Sequence, residues 1–247
     1  MKLKSKKNIQ TLGKHLEVYP SLDALFTEEQ RWLTVHFVPL ISIDLAVLNK
    51  EWAGQCLTVI SPIEPPPVEL LGEGTLEYHN DYTSINWLTF KLTDDNRYIF
   101  LGEEGYFKRT AIHHWDFESE QEKEYQNSML DYYKNKEYFA TYGAILDIMA
   151  TTFEKRYITA NFIEQLGGVA PYGFWSSDFE VMCPPAFDMR LNYNNGRLAN
   201  SWIEMSYKGN PIYHIAKVSS GSWGKYGGDV LLFYEPISRM VLLTLDY

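Results

Sequence analysis

The sequence predicts a β-rich α+β fold in which two similar antiparallel sheet regions flank a central helical segment. Three observations carry that prediction. Short apolar and β-branched runs separated by turn residues fill much of residues 35–107 and 187–245. Between them, residues 119–153 repeat apolar side chains at three- and four-residue intervals among Glu and Lys. A strand, turn and strand near the N-terminus are echoed near the C-terminus. The 247 residues are read as one globular domain, with pseudo-halves 1–117 and 157–247 on either side of a helical segment, 118–156.

In chain order, Lys2, Lys4, Lys6 and Lys7 form a basic, frayed tail with no apolar run behind them, which does not fit a signal peptide. Pro20 and Ser21 start a short amphipathic helix over 22–33. Residues 35–45 are apolar and β-branched, and Pro39 inside them places the strand near a sheet edge or at a bulge. Residues 56–60 form the next strand. Pro62, Pro65, Pro66 and Pro67 lack the N–H a ladder needs, so 61–67 should be an extended surface connection. Asp94, Asp95 and Asn96 turn a hairpin between 86–92 and 97–101.

Ser119 and Glu122 make a capping box that opens the longest helix. Tyr125, Met129, Tyr132, Tyr133, Phe139 and Tyr142 supply its apolar spacing, and Gly143 kinks or splits it. A second meander follows: 187–193, the turn Asn194-Asn195-Gly196, 197–207, the turn Lys208-Gly209-Asn210, and 212–218. Residues 230–234 and 240–245 are apolar enough on both faces to be central strands.

Composition narrows the partners. Lys and Arg number 22 against 32 Asp and Glu, a formal net charge of -10, which repels nucleic acid and anionic membrane surfaces and suits a basic protein partner. No run approaches the roughly 18 apolar residues of a spanning helix, so a soluble, cytoplasmic chain is expected. Cys56 and Cys183 are too few for a disulfide framework and sit in no metal or redox spacing, and both read as buried, reduced thiols.

The echo runs Pro39 to Leu45, then Trp52 and Gly54, then 57–60. Its counterpart runs Pro211 to Val218, then Trp223 and Gly224, then 230–234. The same residues, with Leu166-Gly167-Gly168 and Pro171, resemble the YwqG-like family of uncharacterised bacterial proteins. The resemblance implies a divergent member with a β-rich fold of two similar halves and no agreed activity. The first half lacks a Gly-Gly-x-Pro segment, and Ala216-Lys217 stand where the second repeat commonly has aspartate.

Candidate chemistry is sparse. His113, His114 and Asp116, with His79 and Asp81, are of the type a divalent metal prefers. Adjacent histidines in a strand nevertheless face opposite ways, and the spacing matches no zinc signature, so no metal site is expected. Cys183 and Ser176-Ser177 lie in no nucleophile motif, and the glycine clusters form no phosphate loop, so neither catalytic residue nor cofactor is expected. The binding residues are read instead as Tyr172, Phe174 and Trp175 in an aromatic loop, Trp223 and Tyr226 in a glycine turn, and Glu118 and Glu122 at the acidic helix start. The expected function is a soluble, non-catalytic binding protein, of the immunity (antitoxin) type, covering a basic effector. The alternative is a small-molecule or carbohydrate enzyme with a site between the halves, using His113, His114, Asp116 or His214.

Overall fold

The computed structural model describes residues 2–64, 70–108, 119–146, 159–177, 183–194, 197–224 and 228–247. They form a β-rich α+β fold of two antiparallel sheets and one α-helix. The strands are β1 (Lys6–Ile9), β2 (Leu16–Val18), β3 (Phe37–Asp44), β4 (Cys56–Pro62), β5 (Trp87–Leu92) and β6 (Tyr98–Phe100). After helix α1 (Ser119–Tyr142) come β7 (Ile163–Leu166), β8 (Ala170–Pro171), β9 (Phe187–Asn194), β10 (Arg197–Tyr207), β11 (Asn210–Ser219), β12 (Asp229–Glu235) and β13 (Met240–Asp246). No described helix is long and apolar enough to cross a membrane.

The sheets do not divide at the chain's midpoint. A three-stranded sheet runs β2-β3-β4, and a ten-stranded sheet runs β1-β7-β11-β12-β13-β5-β6, with β8, β9 and β10 branching from β11. Strands β1, β5 and β6 therefore complete the sheet of the second half. The central strands are apolar on both faces because both faces are covered. Val230, Leu232 and Tyr234 enter the core shared with the small sheet, while Leu231 and Phe233 enter a second core with Trp87, Trp175, Ile203 and Met205.

The sequence echo is a three-stranded unit built twice. In β3 the register slips between Pro39 and Ile41, leaving Leu40 as a bulge, and in β11 it slips between His214 and Ala216, leaving Ile215. Counted from these bulges, Ile41 to Asp44 matches Ala216 to Ser219, and each run ends as the N-cap of a 3-10 turn. Strand β2 sets Val18 opposite Ile41 just as β7 sets Leu166 opposite Ala216. Tyr19 N donates to Leu40 O at 2.9 Å, and Gly167 N to Ile215 O at 2.7 Å. Both donors have positive φ, 54° and 66°. Aligning the two prolines is thus three residues out: Pro39 corresponds to His214, and Asp44 to Ser219.

Several expected elements differ. The tail is not frayed, because β1 pairs with β7 at the sheet edge, where exposed lysines discourage further pairing. Residues 22–33 form no α-helix but two 3-10 pieces, Leu22–Ala24 and Glu28–Val35, with Gln30 out of helical geometry. The physical reason is the Gln30 amide: its Nε2 donates to Phe100 O at 3.0 Å and its Oε1 accepts from Phe100 N at 2.6 Å, so it behaves as a one-residue strand against β6. Helix α1 ends at Tyr142, before Gly143 at φ 67°, where the sequence placed a break; residues 147–156 of the expected helical segment lie outside the described residues. The expected surface connection at 61–67 fails at its start, because Ser61 and Pro62 in β4 are buried and paired with Val38 and Phe37, and Ile63 and Glu64 are buried; residues 65–67, the turn residues 195–196 and the Ser119–Glu122 capping contact lie outside the described residues and side chains.

Of the expected apolar face of α1, Tyr132 is buried and Met129 and Phe139 pack against the core, with Asn135 buried beside them, whereas Tyr133 and Tyr142 are exposed. Tyr132 Oη donates to Pro39 O at 2.7 Å. Asn135 Nδ2 donates to Leu146 O at 3.1 Å and Ser222 O at 2.9 Å, while its Oδ1 accepts from Leu146 N at 2.9 Å. This one buried amide joins the helix to both its own C-terminal loop and the turn after β11. Asn135→Ala should therefore cost about 2–3 kcal/mol in denaturant-measured stability, since buried backbone groups lose their partners.

Candidate functional site

The loop after β8 is held by the end of β13. Trp175 N donates to Asp246 Oδ1 at 3.4 Å. Lys217 Nζ bridges Asp246 Oδ2 and Asp229 Oδ2, each at 2.9 Å. Burial acts to lower the Lys217 pKa, but the hydrogen bonds and charges of the two aspartates outweigh it and hold it above the ordinary lysine value. A Cβ on Gly173 would lie 2.5 Å from Asp246 Oδ1, so a larger residue would have to displace that carboxylate. Two carboxylates against one ammonium leave this rim net negative.

Two of the expected aromatic contacts point inward. Trp175 is fully buried, donates from Nε1 to Pro171 O at 3.1 Å, and meets Trp87 and Phe233 at 5.8 and 5.3 Å between ring centroids. Trp223 is fully buried against Tyr19 and Phe162 at 5.1 and 6.1 Å. Each ring is core, so neither offers a surface to a partner. Phe174 remains outside at 43% exposed and meets Tyr247, also 43% exposed, edge-on at 6.3 Å. Tyr172 is half-buried against the second core. Tyr226 and Glu118 fall outside the described residues, as do His113, His114 and Asp116; Glu122 lies in α1, with its side chain outside those described.

A second feature arises where β10 leaves β11. The two strands pair only from Met205↔Ile212 to Tyr207↔Asn210, and by Trp202 and Ile203 β10 has turned to β8. The diverging strands open a cleft of about 530 Å³ lined by Ala170, Ile203, Met205, Ile212, Phe233 and His214, with Lys2, Asp188, Arg190 and Glu204 along it. His214 is 3% exposed. Burial, more than any other cause, pushes its pKa down to about 4, so the ring is neutral at pH 7.

Backbone and amide groups surround the His214 ring. Its Nδ1 lies 3.2 Å from Gly167 O and 3.5 Å from Gln165 Nε2. The Gln165 amide has two protons, and both are given away, to Gly167 O and Val169 O at 2.9 Å each. With the proton on Nδ1 the ring donates to Gly167 O, and the Ala216 backbone also faces the ring. Nε2 is buried without a protein partner among the described residues, an arrangement worth about 1–3 kcal/mol of unrecovered desolvation.

No family model, curated protein or solved structure matches this chain. The reading of function accordingly rests on its own residues. Among the described residues, no group of three or more His, Cys, Asp and Glu is placed to hold a metal ion. His79 Nε2 lies 2.9 Å from Gly72 O. Cys183 is a free thiol whose pKa is pushed up to about 12, by burial first and Asp188 second, so little thiolate forms at neutral pH. Ser176 and Ser177 donate their hydroxyls to Gly173 O and Phe174 O. His214 had a signal in the sequence as a chemistry-bearing residue and Gly167 one only as part of the Leu166-Gly167-Gly168 resemblance, while Gln165, which lies beside the ring, had none.

Proposed function

We propose that this chain is a non-catalytic binding protein that covers a basic protein partner, of the immunity (antitoxin) type, and a divergent, cytoplasmic member of the bacterial YwqG-like family. The observation that carries this reading is Phe174, an exposed aromatic ring in edge contact with the partly exposed Tyr247, whose hydroxyl is buried near Leu71, beside the net-negative Asp246, Asp229 and Lys217 cluster. Aromatic side chains anchor interfaces at low entropic cost, and a chain of net charge -10 steers cationic partners. The enzyme alternative has less support. The His214 cleft is lined by second-half residues with only Lys2 and Leu3 of the first half at it, and no carboxylate orients its ring: Nδ1 lies against a backbone carbonyl.

The test is a pull-down from native lysate with wild type and Phe174→Ala, at low and high salt. A basic protein retained by wild type at low salt, lost at high salt and weakened by about tenfold or more in the variant is expected. Equal retention by both proteins would reject this surface.

A further inference from the structure

We propose that the open face of the β9–β10 hairpin, where it borders the cleft beside β11, is a binding site for a neutral sugar, whose pyranose ring stacks on Trp202 while its hydroxyls bond Arg190, Glu204 and Asp188. The placement of Trp202 is the first reason. Trp32, Trp52 and Trp223 pack in or against the core shared with the small sheet, and Trp87 and Trp175 lie in the second core. Trp202 belongs to neither, is half-buried, and meets no other aromatic ring among the described residues. An indole outside both cores keeps apolar area for a ligand, and the negative face of its ring attracts the weakly positive C–H groups on one side of a pyranose.

Strand alternation puts the polar groups on the same face as the indole. In the ladder Asp188 is opposite Ser206, Arg190 opposite Glu204 and Asn192 opposite Trp202, while Met189, Ile203 and Met205 face the other way, toward the second core. Trp202 Nε1 donates to Glu204 Oε1 at 3.3 Å, which holds the ring beside that carboxylate, and Asp188 Oδ2 accepts from Ser206 Oγ at 3.3 Å. Asp188, Arg190 and Glu204 are exposed, and with Trp202 and the exposed Lys2 they line a cleft of about 530 Å³, a volume that suits a small molecule. Each carboxylate keeps acceptor sites open after its one hydrogen bond, and the Arg190 and Lys2 head groups, which only donate, form no ion pair among the described residues. A hydroxyl both donates and accepts, so neighbouring sugar hydroxyls use the two kinds of group together. Two cations balance two carboxylates here, and a charged ligand attracted by one pair would be repelled by the other.

The experiment uses the purified full chain at pH 7 and four probes, the methyl glycosides of glucose, galactose, mannose and N-acetylglucosamine, with adenosine and inorganic phosphate as the competing chemistries. The indole N–H resonance of Trp202, assigned by its loss in Trp202→Phe, is followed through each titration. At least one glycoside should bind saturably and shift that resonance. Trp202→Ala should weaken its binding about tenfold or more, and Arg190→Gln, at an exposed strand position, about tenfold with unchanged thermal stability. If Trp202→Ala fails to fold, Arg190→Gln and the wild-type resonance still decide. No saturable glycoside binding, a Trp202 resonance that stays in place while a glycoside binds, or saturation of that resonance by adenosine or phosphate alone would overturn the proposal. Because no protein partner is present, the outcome is independent of the partner-binding reading.

Discussion

Acidification from pH 7 toward 4 is expected to destabilise the fold by about 3 kcal/mol through His214 alone. The ordinary histidine value is 6.5, and the folded chain holds this ring at about 4. At pH 7 neither state carries the proton, so the group contributes nothing to the pH dependence. As pH falls through 6.5 the unfolded chain takes up a proton that the folded chain refuses, and the gap widens until the folded ring titrates near 4. Each unit of separation is worth about 1.4 kcal/mol. His214→Phe removes this contribution while leaving the surface carboxylates in place, so denaturant melts of both proteins at pH 7 and pH 4.5 isolate it. The variant should lose about 2–3 kcal/mol less than wild type over that interval. Parallel pH profiles would mean that the ring is not held in the buried, uncharged state described.

Trp223→Ala should cost about 3–5 kcal/mol, the range for emptying a large aromatic site in a packed core. The indole closes the space between Tyr19, Phe162 and the turn after β11, and it has no accessible surface. The sequence reading placed this residue in a binding turn, and the two views predict opposite results. A contact residue would lose partner affinity with stability intact, while the core residue seen here loses stability first. Urea melts of the variant beside wild type settle which holds, and a loss under 1 kcal/mol would contradict the core assignment.

How much was legible depended on what stabilises each element. Strands β12 and β13 were readable because each buries both faces, so their apolar runs are continuous. The hairpin joining β5 and β6 was readable from turn residues, with Asn96 indeed at positive φ. Strands β1 and β2 were not, since Lys6–Ile9 is short and mostly polar, Leu16–Val18 is only three residues long, and both gain their form by pairing with β7 and β3. The 22–33 segment misled because the decisive contact, Gln30 with Phe100, spans seventy residues. The echo was visible in composition but misaligned, because a bulge leaves no mark that a matching proline would not imitate.

The site was legible to a lesser degree. Trp175 and Trp223 sit among turn-forming residues, which suggested exposure, yet both loops fold inward onto the sheets. Phe174 was identified by the same reasoning and does face outward. The partner of that ring, Tyr247, gave no signal, because its place beside the loop depends on β13 reaching Asp246 and clamping Gly173.

The central claim is that the Phe174–Tyr247 face binds a basic partner, and the most direct test is the dissociation constant of the captured partner for wild type, Phe174→Ala and Tyr247→Ala across a salt series. The account predicts that each variant weakens binding about tenfold or more, that Phe174→Ala does so with unchanged thermal stability, and that wild-type affinity falls as salt rises. Affinities that match wild type in both variants, or a wild-type affinity indifferent to salt, would contradict it.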